Sequence, residues 1–219
     1  MINKLHYITV SSYLLSILKT LMGAAELKKF RLVGGTALSL YRGHRISADI
    51  DLFSDAQYGS IDFNLIDKFL QRTFQYVDTT NAEVIGAGKS YFAGNNKDEC
   101  VKLDIYYSDE RFIRNEVSVD GIRLASIEDI IAMKIAMISG FGRKKDFWDI
   151  HELMDDYSIG EMIALHKQRY PYSHDPRQIL SGFSNFEKAD GDFDPVCLMG
   201  KHWELIKLDM LQFSGHESH

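Results

Sequence analysis

Two aspartates, spaced two residues apart, are the first side chains whose types and spacing could do chemistry. Asp49 and Asp51 lie in a short apolar segment typical of a β-strand. Because side chains alternate along a strand, both carboxylates project from one face, while Ile50 and Leu52 point into the core. Like charges about 7 Å apart are unfavourable unless a cation lies between them. The pair therefore predicts a divalent-cation site, and two solvated surface charges are the simpler alternative.

A third carboxylate occupies a similar position in a second predicted strand, residues 100–107. In that segment Asp104 shares a face with Lys102, and apolar residues occupy the other face. If the two strands are neighbours, about 4.8 Å apart, the three carboxylates converge on one point. Hard oxygen ligands suit Mg²⁺, which also keeps phosphates and waters as ligands. We predict that Asp49, Asp51 and Asp104 bind Mg²⁺.

A diglycine turn precedes these strands. Gly34 and Gly35 follow the apolar run 30–33, and Thr36 can cap the helical pattern that comes next. Backbone N–H groups at such a turn can approach phosphate oxygens, and the dipole of a helix N-terminus favours the contact. The segment is neither a GxGxxG fingerprint nor a P-loop, so a tight turn without a ligand is the alternative.

A lysine interrupts the apolar stripe of a later helix. Ser126 begins a capping-box pattern, and Lys134 falls in the middle of the isoleucine stripe that follows. A buried lysine needs an anionic partner or a route to solvent. Lys134 therefore either extends its ammonium to water or reaches the carboxylate site and binds a triphosphate. We favour the second interpretation, because such a cation would offset the acidic cluster.

A basic segment follows, with Arg143, Lys144 and Lys145 directly before Asp146. The three cations form either a solvated loop or a contact to a phosphate-bearing substrate. Asp146 begins the next predicted helix, where the simpler interpretation is an N-cap, with Lys145 and Asp149 as an i,i+4 pair.

The surrounding elements change character along the chain. Strands are predicted at 30–33, 49–53, 83–86, 90–93, 100–107 and 113–119, helices at 9–28 and 63–74, and a hairpin turn at Asp120-Gly121. Helical patterns dominate from Ser126, including a packing helix around Trp203. We therefore predict an α/β core over residues 1–125 and a helical C-terminal lobe over residues 126–219.

Composition restricts the class of protein. The chain has 219 residues, 45% of them hydrophobic, and a formal charge of −6, values typical of a globular protein without broad electrostatic attraction to nucleic acid. A local RNA contact remains compatible with that charge. No apolar run is long enough to cross a membrane and no signal peptide is evident, so a cytoplasmic location is expected. Cys100 and Cys197 are far apart and suggest neither a disulfide scaffold nor a metal site.

Together these motifs resemble the nucleotidyltransferase-like AbiEii/AbiGii toxin family, within the polymerase-β-type nucleotidyltransferase superfamily. The matching segments, in the family's order, are 33–38, 49–53, 102–105, the helix of Lys134 and 143–149. The resemblance implies an α+β fold: a nucleotidyltransferase-type mixed β-sheet core flanked by helices, followed by a helical C-terminal lobe that closes a cleft.

The resemblance also implies a reaction and its partners. A nucleotidyl group would move from an NTP to an acceptor hydroxyl, with loss of pyrophosphate and with Mg²⁺ as cofactor. Some members are toxins of toxin–antitoxin pairs and modify tRNA, which implies an RNA acceptor and a cognate antitoxin protein. The acceptor and the choice of NTP stay open.

Specific residues acquire roles from this resemblance. Gly34, Gly35 and Thr36 would hold the triphosphate, with Arg45 and Ser47 as further nucleotide contacts. Asp49 and Asp51 would ligate Mg²⁺, and Asp104 would be the third carboxylate, which activates the acceptor hydroxyl. Lys134 would contact phosphates, and Asp146 would be the acidic residue of the helical motif.

Two other functions fit the same sequence. One is a non-catalytic module that uses the fold to bind a nucleotide or a partner protein. The other is a small-molecule nucleotidyltransferase that modifies an antibiotic-type hydroxyl, since an acidic cleft attracts a cationic acceptor.

Overall fold

The computed structural model describes residues 4–79 and 87–215. Its strands are β1 (Arg31–Leu32), β2 (Asp49–Ser54), β3 (Tyr76–Thr79), β4 (Gly88–Gly94), β5 (Cys100–Tyr107), β6 (Val117–Val119) and β7 (Ile122–Leu124). Within the described residues they form one sheet in the order β3-β4-β5-β2-β1-β7-β6. The pairs β2–β5 and β1–β7 are parallel and the others antiparallel. The predicted mixed sheet is confirmed.

The helices are α1 (Ser12–Gly23), α2 (Gly34–Arg42), α3 (Phe63–Thr73), α4 (Ile127–Ser139), α5 (Lys144–His151), α6 (Ile159–Arg169), α7 (Pro176–Phe183), α8 (Glu187–Asp190) and α9 (Trp203–Gly215). Helices α4 to α9 follow the last strand, as predicted for the C-terminal part. The division of the chain into two domains near residue 125 stays a prediction.

Two predicted elements are shorter in the structure. The helix expected over 9–28 is only α1, because the Ser11 side chain caps the N–H of Leu14 and 3₁₀ turns lie on either side. The strand expected over 113–119 is only β6, because the N–H groups of Ile113 and Arg114 donate to the Asp129 carboxylate instead of to a neighbouring strand. The strand expected over 83–86 lies outside the described residues.

Other local predictions are confirmed. Asp120 and Gly121 both have positive φ, 51° and 79°, as a tight turn between two antiparallel strands requires. Ser126 caps α4 by accepting from the N–H of Asp129. Cys100 and Cys197 are free thiols.

The core joins the sheet to the C-terminal helices. Helix α4 packs on α5, α6 and α7, and it also contacts α2, as α5 does. Further along, the segment 196–198 returns to pair with the backbone of residues 44–46. Residues 44–49 enter β2 and are therefore held by parts of the chain that follow the last strand. In the described segments, no helix combines the length and apolar character needed to span a membrane.

Candidate active site

Strand β2 presents its two aspartates on one face of the sheet. Ile50 and Leu52 are buried and the aspartates are partly exposed, which is the alternation expected of a half-buried strand. The parallel neighbour is β5, where Asp104 is the direct partner of Asp51 in the register. The predicted adjacency of the two acidic strands is confirmed.

The diglycine turn lies against this acidic face. Gly34 has φ +68°, and a Cβ at that position would lie 2.8 Å from Oδ2 of Asp51. Both the left-handed conformation and the close approach therefore require glycine. Gly35 faces the other way, where a Cβ would lie 2.3 Å from Nη2 of Arg45. The turn is enclosed between a carboxylate and a guanidinium group.

Helix α2 begins at Gly34, and its N-cap residue, Val33, provides no side-chain hydrogen bond. Thr36 is therefore not the cap that its sequence position suggested. Its hydroxyl donates to the carbonyl of Asp49 and shares a hydrogen bond of 2.8 Å with Ser47. Thr36 and Ser47 thus connect the first turn of α2 to the start of β2, and their predicted nucleotide contacts stay predictions.

Negative charge accumulates at Asp51. Burial, with the carboxylates of Asp104 and Asp49 in addition, raises the pKa of the Asp51 carboxyl to about 6, although Lys145 and Lys134 act in the opposite direction. A carboxyl group with a raised pKa beside two others marks a place where a bound cation would relieve repulsion. The donor set is all-oxygen, as Mg²⁺ prefers.

The other two carboxylates have lysine partners. Asp104 accepts from the Lys102 ammonium at 2.5 Å and from the Ser90 hydroxyl at 2.6 Å. The Lys145 ammonium lies 3.6 Å from Oδ2 of Asp49. Within residues 4–79 and 87–215, no three histidine, cysteine or acidic side chains are grouped as a metal cage. Ligation of one Mg²⁺ by all three aspartates therefore stays a prediction, although two carboxylates suffice for Mg²⁺ in many sites.

Lys134 pairs with the carboxylates of the next helix. Its ammonium is buried between two carboxylates of α5, 2.7 Å from Oδ1 of Asp146 and 2.6 Å from Oδ2 of Asp149. A buried ammonium requires such partners, so the solvent-reaching alternative is wrong for this residue. Its positive charge still acts on Asp51 through space.

Arg45 belongs to the same buried cluster. Its Nε and Nη2 donate to the two oxygens of Asp149 at 2.6 and 2.8 Å, and His44 contacts the same carboxylate at 2.9 Å. Burial alone would raise the pKa of the Asp149 carboxyl, but Arg45 and Lys134 hold it well below its usual range. Both cations face a protein carboxylate, and their predicted phosphate contacts stay predictions.

The contacts of the helical motif differ from the expected i,i+4 pair, and the active-site role predicted for Asp146 stays a prediction. Asp146 is in the first turn of α5, where it accepts from the N–H of Arg143 at 3.0 Å and pairs with Lys134. Lys145 pairs with Asp49, not with Asp149 as an i,i+4 pair. Asp149 was not among the predicted site residues, although its spacing of three from Asp146 places both carboxylates on one helical face.

Comparison with known proteins decides the family. A family model described as "Nucleotidyl transferase AbiEii toxin, Type IV TA system" matches residues 16–216. The chain belongs to this family. The AbiEii assignment confirms the family, the fold and the enzyme class, nucleotidyltransferase, that the sequence predicted.

This AbiEii family member is also similar to individual proteins. It is 31% identical to "Uncharacterized protein aq_aa25" from Aquifex aeolicus (strain VF5) over 148 residues, 64% of this chain and 66% of that protein. The match thus spans just under two thirds of the relative's length. Two solved structures share the fold: JHP933 from Helicobacter pylori (TM-score 0.57, 21% identity, 93% of this chain and 88% of that chain), and MenT4, nucleotidyltransferase toxin Rv2826c from Mycobacterium tuberculosis H37Rv (TM-score 0.53, 11% identity, 94% and 90%).

Proposed function

We propose that this chain transfers a nucleotidyl group from an NTP to a hydroxyl of an RNA acceptor, depends on Mg²⁺, and acts as the toxin of a toxin–antitoxin pair. The observation that carries the chemistry is the lateral pairing of Asp51 with Asp104 on parallel strands, beside the N-terminus of α2. Family membership supports the toxin role, and MenT4, a nucleotidyltransferase toxin by its name, shares the fold.

In the proposed reaction, each charged or polar group of the site has a role in binding Mg²⁺ or the triphosphate. Asp49 and Asp51 would hold Mg²⁺, which when bound supplies positive charge to the triphosphate. The N–H groups at the start of α2 would donate hydrogen bonds to triphosphate oxygens, because no side chain caps them. Lys145, next to Asp49 and one-third exposed, would add a cation on the same side. Positioning and charge stabilisation would provide most of the acceleration.

Activation of the acceptor hydroxyl is assigned to Asp104. The hydroxyl oxygen of the acceptor forms the new bond to the α-phosphorus. The bond from that phosphorus to the oxygen that bridges to the β-phosphate breaks, and pyrophosphate leaves. The acceptor proton passes to the Asp104 carboxylate. Ser90 and Lys102 contact different oxygens of that carboxylate and orient it. Lys102 must release its oxygen for the proton to arrive.

The decisive experiment is transfer of label from each of the four α-labelled NTPs to total RNA in the presence of Mg²⁺. Asp51→Asn should reduce labelling at least about 100-fold, since it removes charge from the centre of the site. Asp78→Asn, on the exposed edge strand β3, is the matched control and should label like the wild type. Equal labelling by wild type and Asp51→Asn would contradict the proposal.

A non-catalytic nucleotide-binding module remains the second candidate. The pairing of Asp104 with Lys102 and of Asp49 with Lys145 favours it, because these lysines neutralise two carboxylates without a metal ion. Calorimetric titration with each NTP, with and without Mg²⁺, separates the two functions. Binding without any transfer of label would support the module.

The toxin role has its own test in growing cells. Induced expression of the wild-type chain should arrest growth, and Asp51→Asn should not, at equal protein levels. Continued growth of cells that express active wild-type enzyme would contradict the toxin role while leaving the transferase intact.

A further inference from the structure

A cavity borders the acidic face on its basic side. It has a volume of about 240 Å³, and its lining residues are Arg143, Lys145, Asp192, Phe193 and Pro195. Lys145 also lies 3.6 Å from Asp49, so the cavity adjoins the proposed reaction centre. One of its walls comes from the first turn of α5 and the other from the segment that follows α8.

Phe193 stands out in that second wall because its side chain is 99% exposed. Exposure of a single apolar residue is common and carries no meaning alone. Here, however, both neighbours are anchored. Asp192 accepts from the backbone N–H of Lys144 at 3.0 Å, and Asp194 accepts from the ammonium of the same residue at 2.9 Å.

Lys144 makes a firm anchor because it is itself buried, 6% exposed, with its ammonium over the ring of Trp203 at 5.3 Å. The two aspartates therefore fix the chain on either side of Phe193 and leave the aromatic ring between them facing solvent.

The same segment is fixed again further along. The N–H of Ile46 donates to the carbonyl of Val196 at 2.9 Å, and the N–H of Leu198 donates to the carbonyl of His44 at 2.8 Å. Because residues 44–46 lead directly into β2, these bonds join the segment that follows Phe193 to the backbone just before the strand of the two aspartates. The exposed ring therefore lies in a segment that is anchored on both sides.

We propose that Phe193 is a stacking platform for a nucleobase, with phosphate groups of the same nucleotide directed to Arg143 and Lys145. This inference rests on the proposed function and names the part of the substrate that this cavity recognises. Aromatic rings stack on every base, because each base has a π-face. Arg143 is exposed, and in the described part of the chain it forms no ion pair, so its charge is available to phosphate.

The base can come from the donor NTP or from the acceptor RNA, and fluorescence distinguishes these sources. The two natural tryptophans, Trp148 and Trp203, are buried, so the indole of a Phe193→Trp variant would emit at a longer wavelength than theirs. Each NTP and a short single-stranded RNA are titrated separately, and inorganic tripolyphosphate is the base-free probe. Stacking should quench the emission with NTP or with RNA, and the ligand that quenches identifies the source.

Tyr172 provides the matched control, because it is 94% exposed and does not line the cavity. Tyr172→Trp should respond to none of the three probes. Phe193→Leu keeps an apolar side chain without a ring and should weaken binding of the quenching ligand about 5- to 100-fold by calorimetry, while Phe193→Trp should bind like the wild type.

The proposal is overturned if base-bearing ligands quench Phe193→Trp no more than tripolyphosphate, or if Tyr172→Trp responds equally. These readouts measure binding and need no turnover. Transfer of label without quenching would reject the platform alone, and quenching without transfer would reject the transferase alone.

Discussion

Asp149 and Arg45 are 104 residues apart in sequence, yet their side chains form two hydrogen bonds of 2.6 and 2.8 Å in the interior. Through this contact α5 holds the loop that enters β2. Lys134 joins the same carboxylate from α4, so one aspartate fixes three elements next to the acidic face. This buried cluster of Asp149, Arg45 and Lys134 positions the site. The charges of the cluster largely neutralise one another within the protein.

Removal of the Asp149 charge should therefore destabilise the fold. Asp149→Asn leaves Arg45 and Lys134 buried with too little negative charge, and we expect a loss of about 3–5 kcal/mol in the free energy of unfolding. Asp156→Asn breaks the surface pair with Arg42 and should cost less than about 1 kcal/mol. Urea denaturation measures the free energy of unfolding of both variants. Similar losses in the two variants would show that the buried cluster stabilises the fold no more than a surface ion pair does.

Gly34 should be required for turnover beyond its effect on stability. Gly34→Ala places a Cβ 2.8 Å from the Asp51 carboxylate at φ +68°, so the side chain or the turn must move. Gly59→Ala is the matched control, because Gly59 has φ +79° and nothing within 4 Å of its Cβ. The positive φ should cost both variants roughly 1–2 kcal/mol of stability, with a further cost for Gly34→Ala from the close approach, and only Gly34→Ala should lose most of the transfer activity. Normal activity of Gly34→Ala would show that the close approach is unimportant.

The raised pKa of Asp51, about 6 in the folded chain against about 3.9 unfolded, predicts a specific pH dependence. At pH values between these two pKa values, the folded chain keeps a proton on Asp51 that the unfolded chain has lost. The stability that the Asp51 carboxyl contributes is therefore present below about pH 4 and is lost as the pH rises through 6. Relative to wild type, Asp51→Asn should gain roughly 2–3 kcal/mol between pH 4 and pH 7 in a chelator. Saturating Mg²⁺ at pH 7 should shrink that gain. A constant difference across the pH range would contradict the prediction.

His166 should produce the opposite slope. Burial, with the nearby His174 ring in addition, lowers the pKa of His166 to about 4, and the Nδ1 atoms of the two rings are 3.0 Å apart. The unfolded chain therefore binds the extra proton first, and stability should fall by about 2–3 kcal/mol as the pH drops from 6.5 to 4. His166→Gln should remove this component from the urea-unfolding profile. The exposed His202 gives the control, His202→Gln, whose profile should parallel the wild type.

The sequence predicted the acidic face well because it depends on local rules. Alternation along β2 fixed the common side of Asp49 and Asp51, and a second alternating segment fixed that of Asp104. Partner choice among buried charges could not be predicted in the same way. The sequence left Lys134 with either solvent or the carboxylate site to reach, and only the packing of α5 against α4 brings its ammonium to Asp146 and Asp149.

Residues that act through long-range contacts were missed for the same reason. Asp149 positions the site through its hydrogen bonds with Arg45. The position of Phe193 depends on the hydrogen bonds that its two neighbours form with Lys144 of α5. A single exposed phenylalanine in a late loop carries no periodic signal. Its relation to β2 exists only once the chain has folded back.

The backbone of residues 196–198 pairs with that of residues 44–46. During synthesis on the ribosome, this pairing can form only after residues 196–198 have been translated. The sheet that carries the three aspartates can be translated long before the wall that contains Phe193 exists. A nascent chain interrupted before residue 196 has the acidic strands but lacks that flanking segment. The cavity that Phe193 and Lys145 line is thereby completed only late in translation.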